Sequence, residues 1–406
     1  MHLLLLTTTN LSANPRLVKD IRLALSNGYK VTVVLFDLRQ WTTELEKLYQ
    51  QEFNEVKLIY LPLTRRSLFS WLQTTVLHQL AKLLNRVFPF SLELCAWASD
   101  KRSILLTKKL KELSKFRYDF VVSHNLGTLF PAFILSKKYN LPFIFDVEDY
   151  HPGEFIHVDA ANEKRRRELL MQKILCKASF VTAASPLIAR EVEKLCQIPV
   201  FTINNSFYSN EFDLPLIENN LDEKLKLVWF SQNINHGRGL ELLLPALDPF
   251  CDAVTLTLIG NINSHFSNQW IQHRKYLKVI APLKQDILHK ELSKYDVGLA
   301  LELISADYNR NIALTNKIFA YKQAGLFVLV TDTKAQVEFM NHFMDEGYIC
   351  EQTIDSIKSG ISYILENLES IRAEKGNRFF KAKEIAFESE AQKLLALWNK
   401  ATFKQA

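Results

Sequence analysis

Asn316-Lys317-Ile318-Phe319-Ala320-Tyr321-Lys322-Gln323-Ala324-Gly325, followed at once by Leu326-Phe327-Val328-Leu329-Val330, is the stretch on which the fold reading turns. Polar and basic residues open a short helix, a glycine ends it, and a buried strand follows. Thr315 is placed to cap the helix start, and Gly325 suits the left-handed residue just past a helix end. A helix N-terminus carrying a lysine attracts anionic groups, phosphate foremost. Alone, the segment reads equally as an ordinary helix-to-strand connection. The rest of the chain separates the two.

Upstream of this segment, strand and helix signals alternate twice over. Leu3–Leu6 reads as a strand, Thr7–Asn14 as a polar loop, Pro15–Asn27 as an amphipathic helix ended by Gly28, and Lys30–Phe36 as the next strand. Further strands are predicted at 56–61, 118–123, 142–146, 179–184 and 200–203, with helices near 128–139 and 186–195. The series breaks at 204–223, which is polar, rich in asparagine and contains Pro215. It restarts with a strand at 226–230, a helix at 238–247, a strand at 254–259 ending at Gly260, a strand at 277–280, a helix at 287–294 and a strand at 297–301. The tail from 338 is expected to be mostly helical. Strands alternating with helices predict parallel, doubly wound sheets. The expected organisation is two tandem Rossmann-like α/β domains facing a cleft: residues 1–205, a linker at 206–224, residues 225–385, and a last helix at 386–406 that returns to the first domain. Ligands in such folds sit at the carboxyl ends of strands, and a cleft between two such domains is the expected site.

Composition bounds the function. The chain has 406 residues, 48% of them hydrophobic and 23% charged, which fits a globular protein with two full cores. No apolar run reaches the roughly 18–20 residues of a membrane helix. The apolar start, Met1 to Leu6, is short and reads as a buried strand rather than a leader. Five scattered cysteines with no CxxC pair point to neither a disulfide framework nor a zinc site, and to a cytoplasmic setting. Residues 1–205 hold 28 Lys and Arg against 19 Asp and Glu, whereas 206–406 hold 22 against 25. A basic front half fits an anionic surface, either nucleic acid or membrane lipid.

Several clusters carry chemistry. Phe230-Ser231-Gln232-Asn233-Ile234-Asn235-His236-Gly237-Arg238-Gly239 leaves the first strand of the second half as a polar loop with two glycines and an arginine. Backbone amides there approach a diphosphate closely, and Arg238 pairs with it bidentately; the same pattern also serves as a plain turn. In the first half, Ser123-His124-Asn125 and Asp146-Val147-Glu148-Asp149-Tyr150-His151-Pro152-Gly153-Glu154 each follow a strand and are expected on the cleft rim. His, Asp and Glu are the side chains that take a proton from a hydroxyl, and a carboxylate stabilises a cationic sugar-like transition state. The alternative is a hydrogen-bonded, capped loop. Arg65-Arg66-Ser67-Leu68-Phe69-Ser70-Trp71-Leu72 opens an aromatic, apolar stretch reaching Trp97, with Lys82 and Arg86 inside it. It suits either an anionic membrane surface or helices packed on their own sheet. Lys164-Arg165-Arg166-Arg167 reads as a lipid-phosphate contact or a solvated helix face.

Together these pieces resemble GT-B glycosyltransferases, most closely the retaining family 4 group. Asn14-Pro15-Arg16 with Gly28-Tyr29-Lys30-Val31, Ser185-Pro186 before Ile203-Asn204-Asn205, and Tyr295-Asp296-Val297-Gly298-Leu299 resemble that family's successive elements over nearly the whole chain. The resemblance implies a nucleotide-sugar donor as substrate, held by Arg238, Gly239, Gly260, Asn316 and Lys317 without a separate cofactor or metal. It implies catalytic roles for His124, Glu148, Asp149 and His151, with Asn14, Arg16 and Glu154 on the acceptor side. It also implies a glycan or lipid-linked glycan acceptor, peripheral association with an anionic membrane, and no nucleic-acid partner. The family's donor helix commonly carries a spaced pair of glutamates. Here those positions hold Ile312 and Ala320, and Glu302 either substitutes for one or is a solvated strand-end carboxylate. The alternatives are a nucleotide-sugar 2-epimerase of the same architecture and an inactive binding protein that keeps the fold.

Overall fold

The computed structural model describes residues 1–38, 43–63, 68–113, 117–215 and 224–403. Arg65, Arg66, Ser67 and residues 216–223 of the expected linker lie outside the described residues. The chain forms two units, one of residues 1–203 with 391–406, the other of residues 204–390.

The first unit is built on seven parallel strands: β1 (His2–Leu6), β2 (Lys30–Asp37), β3 (Lys57–Pro62), β4 (Phe120–His124), β5 (Phe143–Val147), β6 (Phe180–Ala183) and β7 (Phe201–Thr202), in spatial order 3-2-1-4-5-6-7. Leu3 to Leu6 are wholly buried, as expected of a central strand covered on both faces by helices. The order reverses between β1 and β4, so the loops leaving these two strands diverge and leave a crevice at their carboxyl ends. The last helix, Phe387–Phe403, contributes its residues from Ala391 onward to this unit. Buried Trp398 packs its ring 5.9 Å from Phe120, and Tyr29 donates a hydrogen bond to Asn399.

The second unit has six parallel strands: β8 (Leu225–Ile234), β9 (Val254–Ile262), β10 (Leu277–Ile280), β11 (Val297–Ala300), β12 (Phe327–Thr331) and β13 (Gly347–Cys350), in order 10-9-8-11-12-13. Here the reversal falls between β8 and β11. The tail is mostly helical, as expected, with one strand in it: Gly347–Cys350 pairs with β12 and forms a sheet edge. Two expectations need correction. β9 does not end at Gly260 but continues to Ile262. A side chain at 260 would sit 2.2 Å from the Ser231 carbonyl oxygen, so glycine there permits the register shift between Phe230 and Asn233. Residues 204–215 are not a loose connector. Phe207 and Phe212 are buried, and the Phe207 backbone exchanges two hydrogen bonds with the Gln323 side chain, at 2.9 and 2.8 Å.

The deciding segment folds as a helix, Asn316–Gln323, into β12. Its end is a double closure: Leu326 N donates to Tyr321 O and Gly325 N to Lys322 O, both at 3.0 Å, with Gly325 at φ +75°. Its start departs from expectation. Thr315 occupies the cap position, but its hydroxyl makes no capping bond and is buried without a partner among the described residues. Lys322 points inward to the Glu346 carboxylate. Tyr321 is fully buried beneath β11, where a side chain at Gly298 would lie 2.1 Å from its ring. Gly298→Ala is therefore expected to destabilise the second unit by about 1–3 kcal/mol through overpacking, read as a lower urea midpoint; an unchanged midpoint would show that Tyr321 has room to shift.

Candidate functional site

In the first unit, the site grows from the reversal between β1 and β4. Asn14 caps the helix Pro15–Ser26 through Leu17 N at 2.9 Å, and its first turn directs Arg16 inward. The guanidinium grips Asp146 at the end of β5 with two bonds, Nε to Oδ2 at 2.6 Å and Nη2 to Oδ1 at 2.7 Å, and donates a third to Ile203 O at 2.9 Å. Thr182 donates a further bond to Asp146 at 2.6 Å. Burial works against this carboxylate, yet Arg16 and then His124 hold it well below the usual range. Burial likewise opposes charge on Arg16, and Asp146 overrides it, raising its pKa. Asn14 and Arg16, expected on the acceptor side, are buried and structural. The reason is that Asp146 offers a bidentate partner to a guanidinium in a desolvated setting.

His124 also needs correction. It is fully buried, not on a rim. Its Nε2 lies 3.1 Å from Asp20 and its Nδ1 3.0 Å from Glu148, with Asp146 at 3.4 Å. Only an imidazolium donates from both nitrogens. Burial opposes that charge, but the hydrogen bonds to Asp146, Asp20 and Glu148 outweigh it and raise the pKa well above the ordinary value. With a carboxylate on each ring nitrogen, His124 is tied into an ion-pair network and positions Glu148. The second Glu148 oxygen accepts from Asn125 Nδ2 at 3.0 Å, and Asn125 Oδ1 accepts from Thr7 Oγ1 at 2.7 Å. This network joins the β1, β4 and β5 loops. His124, Asp146 and Glu148 place ligand-type atoms within 4.8 Å of one another. Arg16 engages both Asp146 oxygens and each His124 nitrogen faces a carboxylate, so the three side chains form one ion-pair network.

Beyond Glu148 the β5 loop carries Asp149, which is half-buried, and a turn at His151–Gly153. His151 is buried; its Nδ1 meets Glu154 at 3.1 Å, and its Nε2 has no hydrogen-bond partner among the described residues. Burial opposes its protonation, but Glu154 and then Asp149 raise its pKa. Glu154 Oε2 accepts from Arg167 at 2.6 Å, and Arg167 also binds Glu163 at 2.9 Å. The basic run 164–167 is thus neither a lipid contact nor a solvated face at two of its positions, because Arg166 is buried on Glu163 and Arg167 ties the helix Ala160–Ile174 to this loop. A pocket of about 550 Å³ opens here, lined among others by Asn125, Gly127, His151, Glu154 and Arg167. It also meets the start of the helix Leu126–Tyr139, whose cap residue Asn125 makes no side-chain capping bond. Amide donors, an unpartnered imidazole nitrogen and charged groups of both signs suit a hydroxylated ligand.

In the second unit, Glu302 follows β11 and is buried, not solvated. Its Oε1 accepts from Lys317 at 2.8 Å and its Oε2 from Arg310 at 2.9 Å. Thr331 at the end of β12 fixes the backbone, accepting from Glu302 N at 2.9 Å and donating to Glu302 O at 2.6 Å. Lys317 Nζ also lies 5.3 Å from the centre of the Trp229 ring. Arg238 precedes the helix Leu240–Leu247 rather than opening it. Among the described residues it has no ion pair of its own. Burial and then nearby Arg310 lower its pKa, with Glu302 opposing. Gly239 adopts φ +80°, and a side chain there would press on Leu301 Cβ at 2.8 Å. Asn316 accepts a hydrogen bond from Asn205. Ile312 and Ala320 are buried apolar residues, so neither position returns a carboxylate.

Arg310 and Lys317 thus pair with one carboxylate at the strand reversal, and Arg238 lies within its electrostatic reach. The excess is positive, an arrangement that suits an anionic group. Sequence reasoning missed Arg310 and Asp20, and read Arg167 only as part of a surface charge run. Asp20 lies one turn beyond Arg16 on the same helix, a spacing that could have flagged it; Arg310 carries no local signal.

Residues 17–199 match the model of the glycosyl transferase 4-like domain. No curated protein matches by sequence. Among solved structures, the fold is similar to a sucrose-phosphate synthase from Thermosynechococcus elongatus, with 12% identity, TM-score 0.70 and full coverage of both chains. It is similar to HepE of Anabaena, solved in complex with UDP, with 14% identity, TM-score 0.66 and coverage of 98% of this chain and 100% of that one. It is also similar to a protein described as a UDP-N-acetylglucosamine 2-epimerase from Listeria monocytogenes, with 14% identity, TM-score 0.59 and coverage of 100% and 97%. The architecture is that of the GT-B fold.

Proposed function

From a glycosyl transferase 4-like domain over residues 17–199 and a GT-B fold over the chain, we propose that this protein transfers a sugar from a nucleotide-sugar donor to a glycan or lipid-linked glycan. The proposed setting is polysaccharide assembly at the inner face of the cytoplasmic membrane. No helix among the described residues is long and apolar enough to cross a membrane.

The observation that carries this reading is the cation excess of Arg238, Arg310 and Lys317 over Glu302. A leaving nucleoside diphosphate gains negative charge as the glycosidic bond breaks. Fixed cations aimed at that charge stabilise the transition state more than the ground state. In our reading they supply the charge that a divalent metal would otherwise bring, and the transfer retains configuration with the donor phosphate assisting the acceptor hydroxyl. The pocket at His151 and Glu154 would receive the acceptor, with Glu148 and Asp149 held nearby on the same loop.

A thermal-shift panel of UDP-, GDP-, ADP- and CMP-sugars tests the donor half. A ligand at a hundred times its Kd stabilises by about 2.7 kcal/mol, so one nucleotide class should raise the melting temperature by several degrees. No shift with any class overturns the reading. The buried Ile312 and Ala320 favour a second reading, a donor-binding protein without turnover. Donor binding with no transfer to any glycan or lipid-linked acceptor selects it, and donor epimerisation without acceptor, followed by NMR, selects the isomerase.

A further inference from the structure

The helix Leu68–Val87 in the first unit is inverted. Its buried residues are Thr74, Ala81 and Asn85, whereas its outward face carries Leu68, Leu72, Val76, Leu80, Leu83 and Val87, all exposed. These recur at helical spacing and form one continuous apolar stripe. Phe69 extends it at 80% exposure, and the following turn adds Phe88 and Phe90. An unbroken apolar face of five turns is far more than the scattered exposed leucines of ordinary surfaces.

Charge identifies the partner. No Asp or Glu occurs between Val56 and Leu92. Lys82 and Arg86 border the stripe, Lys108 donates to Gln73 at 3.2 Å from the neighbouring helix, and Lys101 sits 5.5 Å from the centre of the Trp71 ring. A protein partner chosen by this face would have to bury it against lysine and arginine on its rim. An anionic bilayer satisfies both parts, with acyl chains under the leucines and phosphates beside the cations. The helix is too polar on its inner side to cross a membrane, so it lies in the interface.

We propose that the Leu68–Val87 face, with Phe88 and Phe90, docks this protein on anionic lipid bilayers. The same helix supplies Thr75, His78 and Gln79 to the pocket at His151. Docking therefore brings lipid headgroups to the mouth of that pocket; this last step rests on the transfer reading, whereas docking itself does not.

The test is co-sedimentation of the full chain with vesicles of phosphatidylglycerol and phosphatidylcholine, and with pure phosphatidylcholine, at 0.1 and 0.5 M NaCl, beside its oligomeric state by light scattering. The expected result is binding to the anionic vesicles that weakens with salt. Leu72→Gln with Leu83→Gln, both more than half exposed (57% and 58%), should lower partition at least about tenfold, and Lys82→Glu with Arg86→Glu by about tenfold or more. Both pairs should unfold at the wild-type temperature. Absence of vesicle binding, or binding unchanged by both pairs, overturns the proposal. So does a wild-type dimer that Leu72→Gln with Leu83→Gln converts to monomer without any vesicle binding, which would make the stripe a contact between copies. None of these readouts needs a donor, so their failure is separable from failure of the transferase reading.

Discussion

Replacing Arg238 by alanine is expected to weaken nucleotide-sugar binding at least about thirtyfold, roughly 2 kcal/mol or more, while leaving the unliganded protein as stable as before or slightly more so. The two effects have opposite signs because the site is overcharged when empty. Burial and the neighbouring Arg310 both disfavour the Arg238 cation, and only Glu302 supports it. Removing it relieves repulsion in the free protein. With a diphosphate present the same cation is matched, and its loss leaves phosphate oxygens unpaired in a partly desolvated loop. Isothermal titration with the best donor from the panel, beside a melting curve without donor, reads both signs at once. Equal donor affinity in wild type and variant removes Arg238 from the site. A large fall in unliganded melting temperature would instead make it a structural residue.

Arg16→Met is the counterpart in the first unit, and its large effect falls on stability. The substitution keeps length and apolar volume but deletes both charged bonds to Asp146 and the bond to Ile203 O. A buried carboxylate then keeps only Thr182 and the shared His124. Leaving one partner of a buried ion pair alone costs about 3–5 kcal/mol, which urea denaturation at pH 7 would show directly. The pH dependence follows from the direction of the shift. Asp146 is held below its ordinary range, so its contribution is complete above the unfolded aspartate value near about 3.9 and is lost as pH falls from there. The gap between wild type and variant should therefore be widest near neutrality and narrow below about pH 4. A gap that stays constant from pH 7 to pH 3 would assign the loss to packing rather than charge.

These two arginines show what a sequence discloses and what it does not. Arg238 is flagged locally, by glycines on either side of it after an apolar strand, and it stands near Glu302 with no ion pair of its own among the described residues. Arg16 is flagged just as strongly, by an Asn-Pro-Arg helix start, yet it turns inward. The difference lies in a carboxylate 130 residues away, at the end of a strand two places along the sheet. Glu302 is left open by the sequence. As a strand-end glutamate it reads equally as a solvated carboxylate or a ligand-facing one, and the ion pairs that engage it come from Arg310 and Lys317, which no periodicity links to it. His124 reads as an available base until Asp20 and Glu148 close on both ring nitrogens.

The sequence by itself determined the two parallel sheets, because the alternation of apolar runs with amphipathic helices is a local property written in each segment. It determined the helix-to-strand joint at Gly325, because only a residue tolerant of positive φ closes a helix that way. It also determined that a basic, aromatic stretch lies in the first half. Only the tertiary structure decided which charges are spent and which are spare. Pairing of ions is set by distance and desolvation across the sheet reversals, and those join residues far apart in the chain. The same holds for the helix Leu68–Val87, which the sequence leaves open between a membrane surface and a packed helix until the fold buries its threonine, alanine and asparagine and leaves its leucines exposed.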